Sequence, residues 1–100
     1  MRVLLIEDEP KVSRAVARGL MAEHFAVDIA NDGKMGLELA DTYEYDLVIL
    51  DLMLPNIDGT TVLRRIRRKD SGVPILILTA RDTVAGISRR LRKQHRRTPN

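Results

Sequence analysis

Val48-Ile49-Leu50-Asp51-Leu52-Met53-Leu54-Pro55-Asn56-Ile57-Asp58-Gly59 places one carboxylate at the end of an apolar run and two chain breakers behind it. An ionised carboxylate between leucines is costly to remove from water unless it is solvated, paired, metal-bound or protonated. Residues 46–50 have the length and composition of a strand buried on both faces, and Pro55 and Gly59 stop the pattern from continuing. The fold therefore turns on what the other segments bring to the end of this strand.

Upstream, residues 2–6 form a second short apolar run, which breaks off at Glu7-Asp8-Glu9-Pro10. Pro10 after two acidic residues suits a helix start, and Val12, Ala15, Val16, Gly19 and Leu20 recur at helical spacing over residues 11–23. Residues 25–30 read as another strand, and Asn31-Asp32-Gly33 is turn or cap chemistry ahead of a helix that contains Leu37 and Ala40. Downstream, residues 60–69 resume helical spacing, with Val62, Leu63 and Ile66 inward and Arg64, Arg65, Arg67 and Arg68 largely outward. Ser71-Gly72 closes that helix, and residues 73–78 form a fourth buried strand ending at Thr79. Strict alternation of strands and helices predicts an α/β fold: a doubly wound parallel sheet with right-handed crossovers and helices on both faces.

In such sheets, sites form at the carboxyl ends of the strands, near the point where strand order reverses. Glu7 and Asp8 follow the first strand, Asp51 ends the third and Thr79 follows the fourth, so all four are expected to converge. Two unit charges roughly 5 Å apart at an effective dielectric near 20 repel by about 3 kcal/mol, which a bound cation removes. The candidate ligands are hard oxygens with no Cys or nearby His, a set that favours Mg²⁺ over zinc. Mg²⁺ commonly shares a phosphate oxygen, so a phosphoryl group is the natural remaining guest and Asp51 a candidate nucleophile for it.

Composition narrows the function classes. The chain has 100 residues, 44% of them hydrophobic and 31% charged, the balance of a single globular domain. No apolar run approaches membrane-spanning length, and the chain has no cysteine, so a disulfide framework and thiolate metal sites are excluded. With no apolar leader ahead of the first strand-like run, the expected compartment is the cytoplasm. The net charge of +3 is uneven: residues 1–80 carry 10 basic and 13 acidic groups, residues 81–100 carry 7 and 1. A basic end of this kind can contact nucleic acid.

Glu7-Asp8 after the first strand, Asn31-Asp32-Gly33 before the second helix, Asp51 in D-L-M-L-P with Asp58-Gly59 behind it, and Leu78-Thr79-Ala80-Arg81 resemble the receiver (CheY-like) domain of two-component response regulators. The likeness covers about residues 1–85, and the wording is similar to OmpR/PhoB-like regulators, whose receiver precedes a winged-helix DNA-binding domain. It implies a flavodoxin-like sheet and a signalling role in which Asp51 accepts a phosphoryl group from a sensor histidine kinase. It further implies that Mg²⁺ is bound by Asp8, Asp51 and the backbone carbonyl of Met53, with Glu7 assisting through water. Thr79 would contact the phosphoryl group and report its presence, and Pro55 and Gly59 would shape the loop over the site.

After residue 85 the chain departs from that pattern. A receiver continues through a fourth helix, an apolar fifth strand ending in Lys-Pro and a fifth helix, whereas residues 86–100 are a basic, atypical tail. The expectation is a receiver of about four β/α units, truncated, frame-shifted or naturally divergent, and impaired in switching because that lysine is missing. An open sheet edge would also favour self-association. Enzyme alternatives fare worse: a P-loop signature is absent, and aspartate-nucleophile phosphatases carry a second Asp where this chain has Met53. The remaining alternative is a basic nucleic-acid-binding or adaptor protein on a receiver-like scaffold. His24 and His95 lack companions at ligand spacing and read as surface residues.

Overall fold

A computed structural model of the chain describes residues 1–78. The elements are β1 (Arg2–Ile6), α1 (Pro10–Ala22), β2 (Ala26–Ala30), α2 (Gly33–Thr42), β3 (Leu47–Asp51), α3 (Gly59–Lys69) and β4 (Ile75–Leu78). The strands form one parallel sheet in the order β2-β1-β3-β4. Thr79, the boundary expected at residue 85 and the basic stretch 86–100 lie outside the described residues.

The two-residue period of a strand sorts the core into two layers. Val3 and Leu5 of β1 with Leu47 and Ile49 of β3 pack on Val16, Ala17 and Leu20 of α1. Leu4 and Ile6 with Val48 and Leu50 face the other way, onto Val62 and Ile66 of α3 and the half-buried Leu37 and Ala40 of α2. Val3, Leu4, Leu5 and Ile6 are fully buried, as a strand covered on both faces and both edges must be. Gly36 lets α2 approach β1 closely, since a Cβ there would stand 2.6 Å from Ile6 Cδ1.

Helix phase and helix ends are set locally. Pro10 opens α1, where its missing N–H costs nothing, and the buried face then runs Ser13, Val16, Ala17 and Leu20. Val12, expected inward, is exposed, one position out of phase, and Ser13 takes the inner place because its hydroxyl donates to Pro10 O at 3.1 Å. The helix ends in a Schellman motif: Phe25 N–H donates to Leu20 O at 3.1 Å and His24 N–H to Met21 O at 3.0 Å. His24 occupies the left-handed position with φ 70°, where a Cβ is strained. His24→Gly should therefore stabilise the fold by about 0.5–1 kcal/mol, read as a rise of a few degrees in Tm. An unchanged or lower Tm would show that the His24 side chain offsets the strain.

Asp32 caps α2, its Oδ1 accepting from Met35 N–H at 2.7 Å. Arg67, expected to point outward, is half-buried instead, and its guanidinium donates to the carbonyls of Ser71 and Val73, fastening the end of α3 to the approach of β4. At the amino-terminal end of the sheet, Arg2 donates to Asp28 Oδ2 at 2.9 and 3.1 Å, and Tyr45 O–H donates to the same oxygen at 2.7 Å. The Tyr45 hydrogen bond, with Arg2 adding to it, lowers the Asp28 carboxyl below its ordinary range, while burial pushes the Tyr45 phenol up.

Candidate functional site: an acidic corner at the carboxyl ends of β1 and β3

The register explains why the carboxylates meet. Ile6 pairs with Leu50, so the next step along both strands sets Glu7 beside Asp51, and the two-residue period turns both toward the face that carries α1. Glu7 N–H donates to Ala30 O at 3.0 Å, which holds the residue against the end of β2. Asp8 is exposed, Asp51 half-buried, and Glu7 only 4% exposed. One carboxylate oxygen from each of the three lies within 4.8 Å of the others.

Glu7 records the electrostatic cost of this arrangement. Burial is the largest cause that pushes its carboxyl up to about 8, followed by a hydrogen bond with Asp51 and the negative charges of Asp51 and Asp8. Its Oε2 is buried with no hydrogen-bond partner. A buried carboxylate oxygen with no hydrogen-bond donor, beside two further carboxylates, suits a cation, and the all-oxygen donors fit a hard divalent ion.

Asp51 is oriented by the loop that follows it. Its Oδ1 accepts from Met53 N–H at 2.9 Å, an Asx-type turn that aims the carboxylate back over the strand end. Ile57 N–H donates to Pro55 O at 2.8 Å around Asn56, whose φ of 66° is a conformation that Asn tolerates better than most residues. Asp58 then caps α3 through Thr60 N–H at 3.3 Å, and Gly59 presses on the loop backbone. A Cβ at Gly59 would collide with Leu52 Cα and lie 2.8 Å from the carbonyl oxygens of Asp51 and Leu52. Gly59→Ala should thus cost about 3 kcal/mol by overpacking against backbone, measurable by urea denaturation. A loss below about 0.5 kcal/mol would mean that α3 can shift away from the loop.

Of the residues expected at the site, Glu7, Asp8 and Asp51 are brought together, Pro55 lies in the loop leaving Asp51, and Gly59 opens α3 directly behind that loop. Met53 follows two residues behind, with its side chain 85% exposed. Leu78 pairs with Asp51, and Thr79 comes immediately after it in the chain. What sequence reasoning missed is the cluster of Arg2, Asp28 and Tyr45, whose members stand 26 and 17 positions from Asp28. Only the unusual placement of Asp28 within a strand signals it. A groove of about 560 Å³ between α2 and α3, lined by Leu37, Tyr43, Tyr45, Arg65 and Lys69 among others, is separate from the acidic corner.

The family model of the response regulator receiver domain matches residues 3–96. The chain belongs to this family. The receiver is similar to the transcriptional activator protein IrlR of Burkholderia pseudomallei, with 54% identity over 84 residues, covering 84% of this chain and 36% of IrlR. The chain spans between 13% and 40% of the length of the curated relatives it matches. Among solved structures, the Francisella response regulator 1452 receiver domain superposes with a TM-score of 0.85 at 24% identity, covering 98% of each chain, a likeness of fold. A complex of the histidine kinase ThkA with the response regulator protein TrrA gives a TM-score of 0.79 at 28% identity, covering 95% of each chain. The parallel sheet with helices on both faces is thus the receiver fold, and no helix among the described residues is long and apolar enough to cross a membrane.

Proposed function

We propose that this receiver accepts a phosphoryl group on Asp51 in a Mg²⁺-dependent reaction, as the input of a two-component signalling switch in the cytoplasm rather than as an enzyme acting on external substrates. The observation that carries the reading is the convergence of Glu7, Asp8 and Asp51 within 4.8 Å, with the buried Glu7 Oε2 unpartnered. Asp8 and Asp51 would hold the ion directly, with the carbonyl of Met53, and Glu7 would orient its water. The ion supplies charge neutralisation for an incoming phosphate. The donor is the phosphohistidine of a sensor kinase, by analogy with the kinase of the ThkA–TrrA complex.

In the transfer, an Asp51 carboxylate oxygen attacks phosphorus while the phosphorus–nitrogen bond to the donor imidazole breaks, and the electron pair leaves with the imidazole. The Met53 N–H keeps one Asp51 oxygen engaged, which leaves the other to attack. Thr79, following Asp51's register partner Leu78, would donate to the transferred group. Incubation with acetyl phosphate and Mg²⁺, followed by mass spectrometry, tests the reading: a gain of one phosphoryl group mapped to the peptide containing Asp51 supports it. No gain with Mg²⁺ present, or a gain mapped to Asp8, overturns it.

A further inference from the structure

The cations of α3 fall into two groups with different partners. Arg67 is committed to the carbonyls of Ser71 and Val73, and Lys69 Nζ donates to Ala40 O at 2.6 Å and pairs with Asp41 at 3.3 Å. Arg64, Arg65 and Arg68 are exposed and make no hydrogen bond or ion pair among the described residues. Helical geometry places Arg64 and Arg68 four positions apart and Arg65 and Arg68 three apart, so the three guanidiniums share one side of the last two turns, roughly 6 Å along the axis. Arg68 lies in the last turn, where the carbonyl end of the helix stabilises a cation.

We propose that this face of α3 docks on the phosphate backbone of duplex nucleic acid, independently of base sequence. Guanidinium presents planar donors that match phosphate oxygens two at a time, and the three cations of α3 without a partner among the described residues are all Arg rather than Lys. Carboxylates fit that fork equally well, so the choice of nucleic acid over an acidic protein rests on two other features. Protein interfaces are anchored by apolar or aromatic residues, yet the exposed large apolar residues among those described are Met1, Val12, Met21, Met35, Tyr43 and Met53, and none belongs to α3. Tyr43, which lines the adjoining groove with Arg65, already has its ring face under Arg2, 4.5 Å from the guanidinium carbon.

Of the nearby anions, Asp41 is paired with Lys69, whereas Asp70, whose Oδ1 accepts from Gly72 N–H at 3.0 Å, keeps its charge and lines the groove beside Arg65 with Glu44. The surface is distinct from the acidic corner, so the proposal does not depend on phosphoryl transfer.

The experiment is fluorescence anisotropy of the full chain with a short duplex DNA of arbitrary sequence, titrated between about 50 and 200 mM salt. The full chain is compared with a triple variant carrying Arg64→Ala, Arg65→Ala and Arg68→Ala, and with one carrying Lys at the same positions. The cations of residues 81–100 are constant in all three proteins, so differences read α3 alone. The Ala variant is expected to lose roughly tenfold or more in affinity at the lower salt, and the slope of log K against log salt is expected to fall by about 2–3, one phosphate contact per residue removed. The Lys variant should keep most of the slope. An unchanged slope in the Ala variant overturns the proposal, as does a labelled polyglutamate that binds the full chain more tightly than the DNA and loses affinity in the Ala variant, which would assign the face to an acidic polypeptide.

Discussion

Asp51→Asn should abolish phosphoryl labelling by acetyl phosphate and at the same time leave the metal-free fold more stable. The amide oxygen keeps the hydrogen bond from Met53 N–H, so the loop retains its anchor. The amide nitrogen then offers protons where the native residue presents charge to Glu7 and Asp8. Repulsion of about 3 kcal/mol per close pair is relieved in the limit of full ionisation; the gain is smaller where Glu7 already holds its proton, on the order of 1–2 kcal/mol at neutral pH. An amide cannot form the acyl phosphate, so loss of labelling in a protein with a raised Tm separates chemistry from folding. Labelling that persists, or a variant that melts below the native protein, would contradict the role given to Asp51.

The second large effect is an inverted pH dependence governed by Glu7. Its carboxyl titrates near 4.5 in the unfolded chain and is pushed up to about 8 in the folded one, chiefly by burial and then by Asp51 and Asp8. The folded state therefore holds a proton that the unfolded state has released throughout that window. The stabilising contribution is fully present below about 4.5 and is lost as pH rises through 8. At 1.36 kcal/mol per unit the loss is on the order of 5 kcal/mol. A divalent cation takes the proton's place, so millimolar Mg²⁺ should flatten the profile, and its apparent affinity should rise up to tenfold per pH unit in the same range. Glu7→Gln should remove the slope without Mg²⁺ and weaken the response to the ion. A native profile that falls just as steeply in Glu7→Gln would place the responsible group elsewhere.

The sheet was legible in the sequence because its strands are buried on both faces, so runs such as Val3 to Ile6 and Leu47 to Leu50 stand out from the polar loops between them. The acidic corner was legible for a related reason: carboxylates directly after such runs have no apolar role, and the parallel topology brings strand ends together. The phase of α1 was not. Val12 and Ser13 compete for the inner position, and the outcome rests on Pro10 as first residue and on a carbonyl that accepts the Ser13 hydroxyl. Nor was the inward turn of Arg67, since an arginine among arginines carries no mark of the two carbonyls that claim it. The cluster of Arg2, Asp28 and Tyr45 was hidden because its members lie on separate elements and meet only once β1, β2 and β3 are in register.

The central place of β1 also orders events in time. The first of the four described strands to be synthesised has two hydrogen-bonded neighbours, β2 and β3, and the second of these begins only at Leu47. A nascent chain can close β1, α1 and β2 as a local unit, yet the other edge of β1 stays open until the third strand emerges. Once that gap is filled, the amides of Val3 to Ile6 are shielded by strands on both sides and helices on both faces, so they exchange with solvent only when the whole domain unfolds. Of the four strands, the one made first is the last to be released.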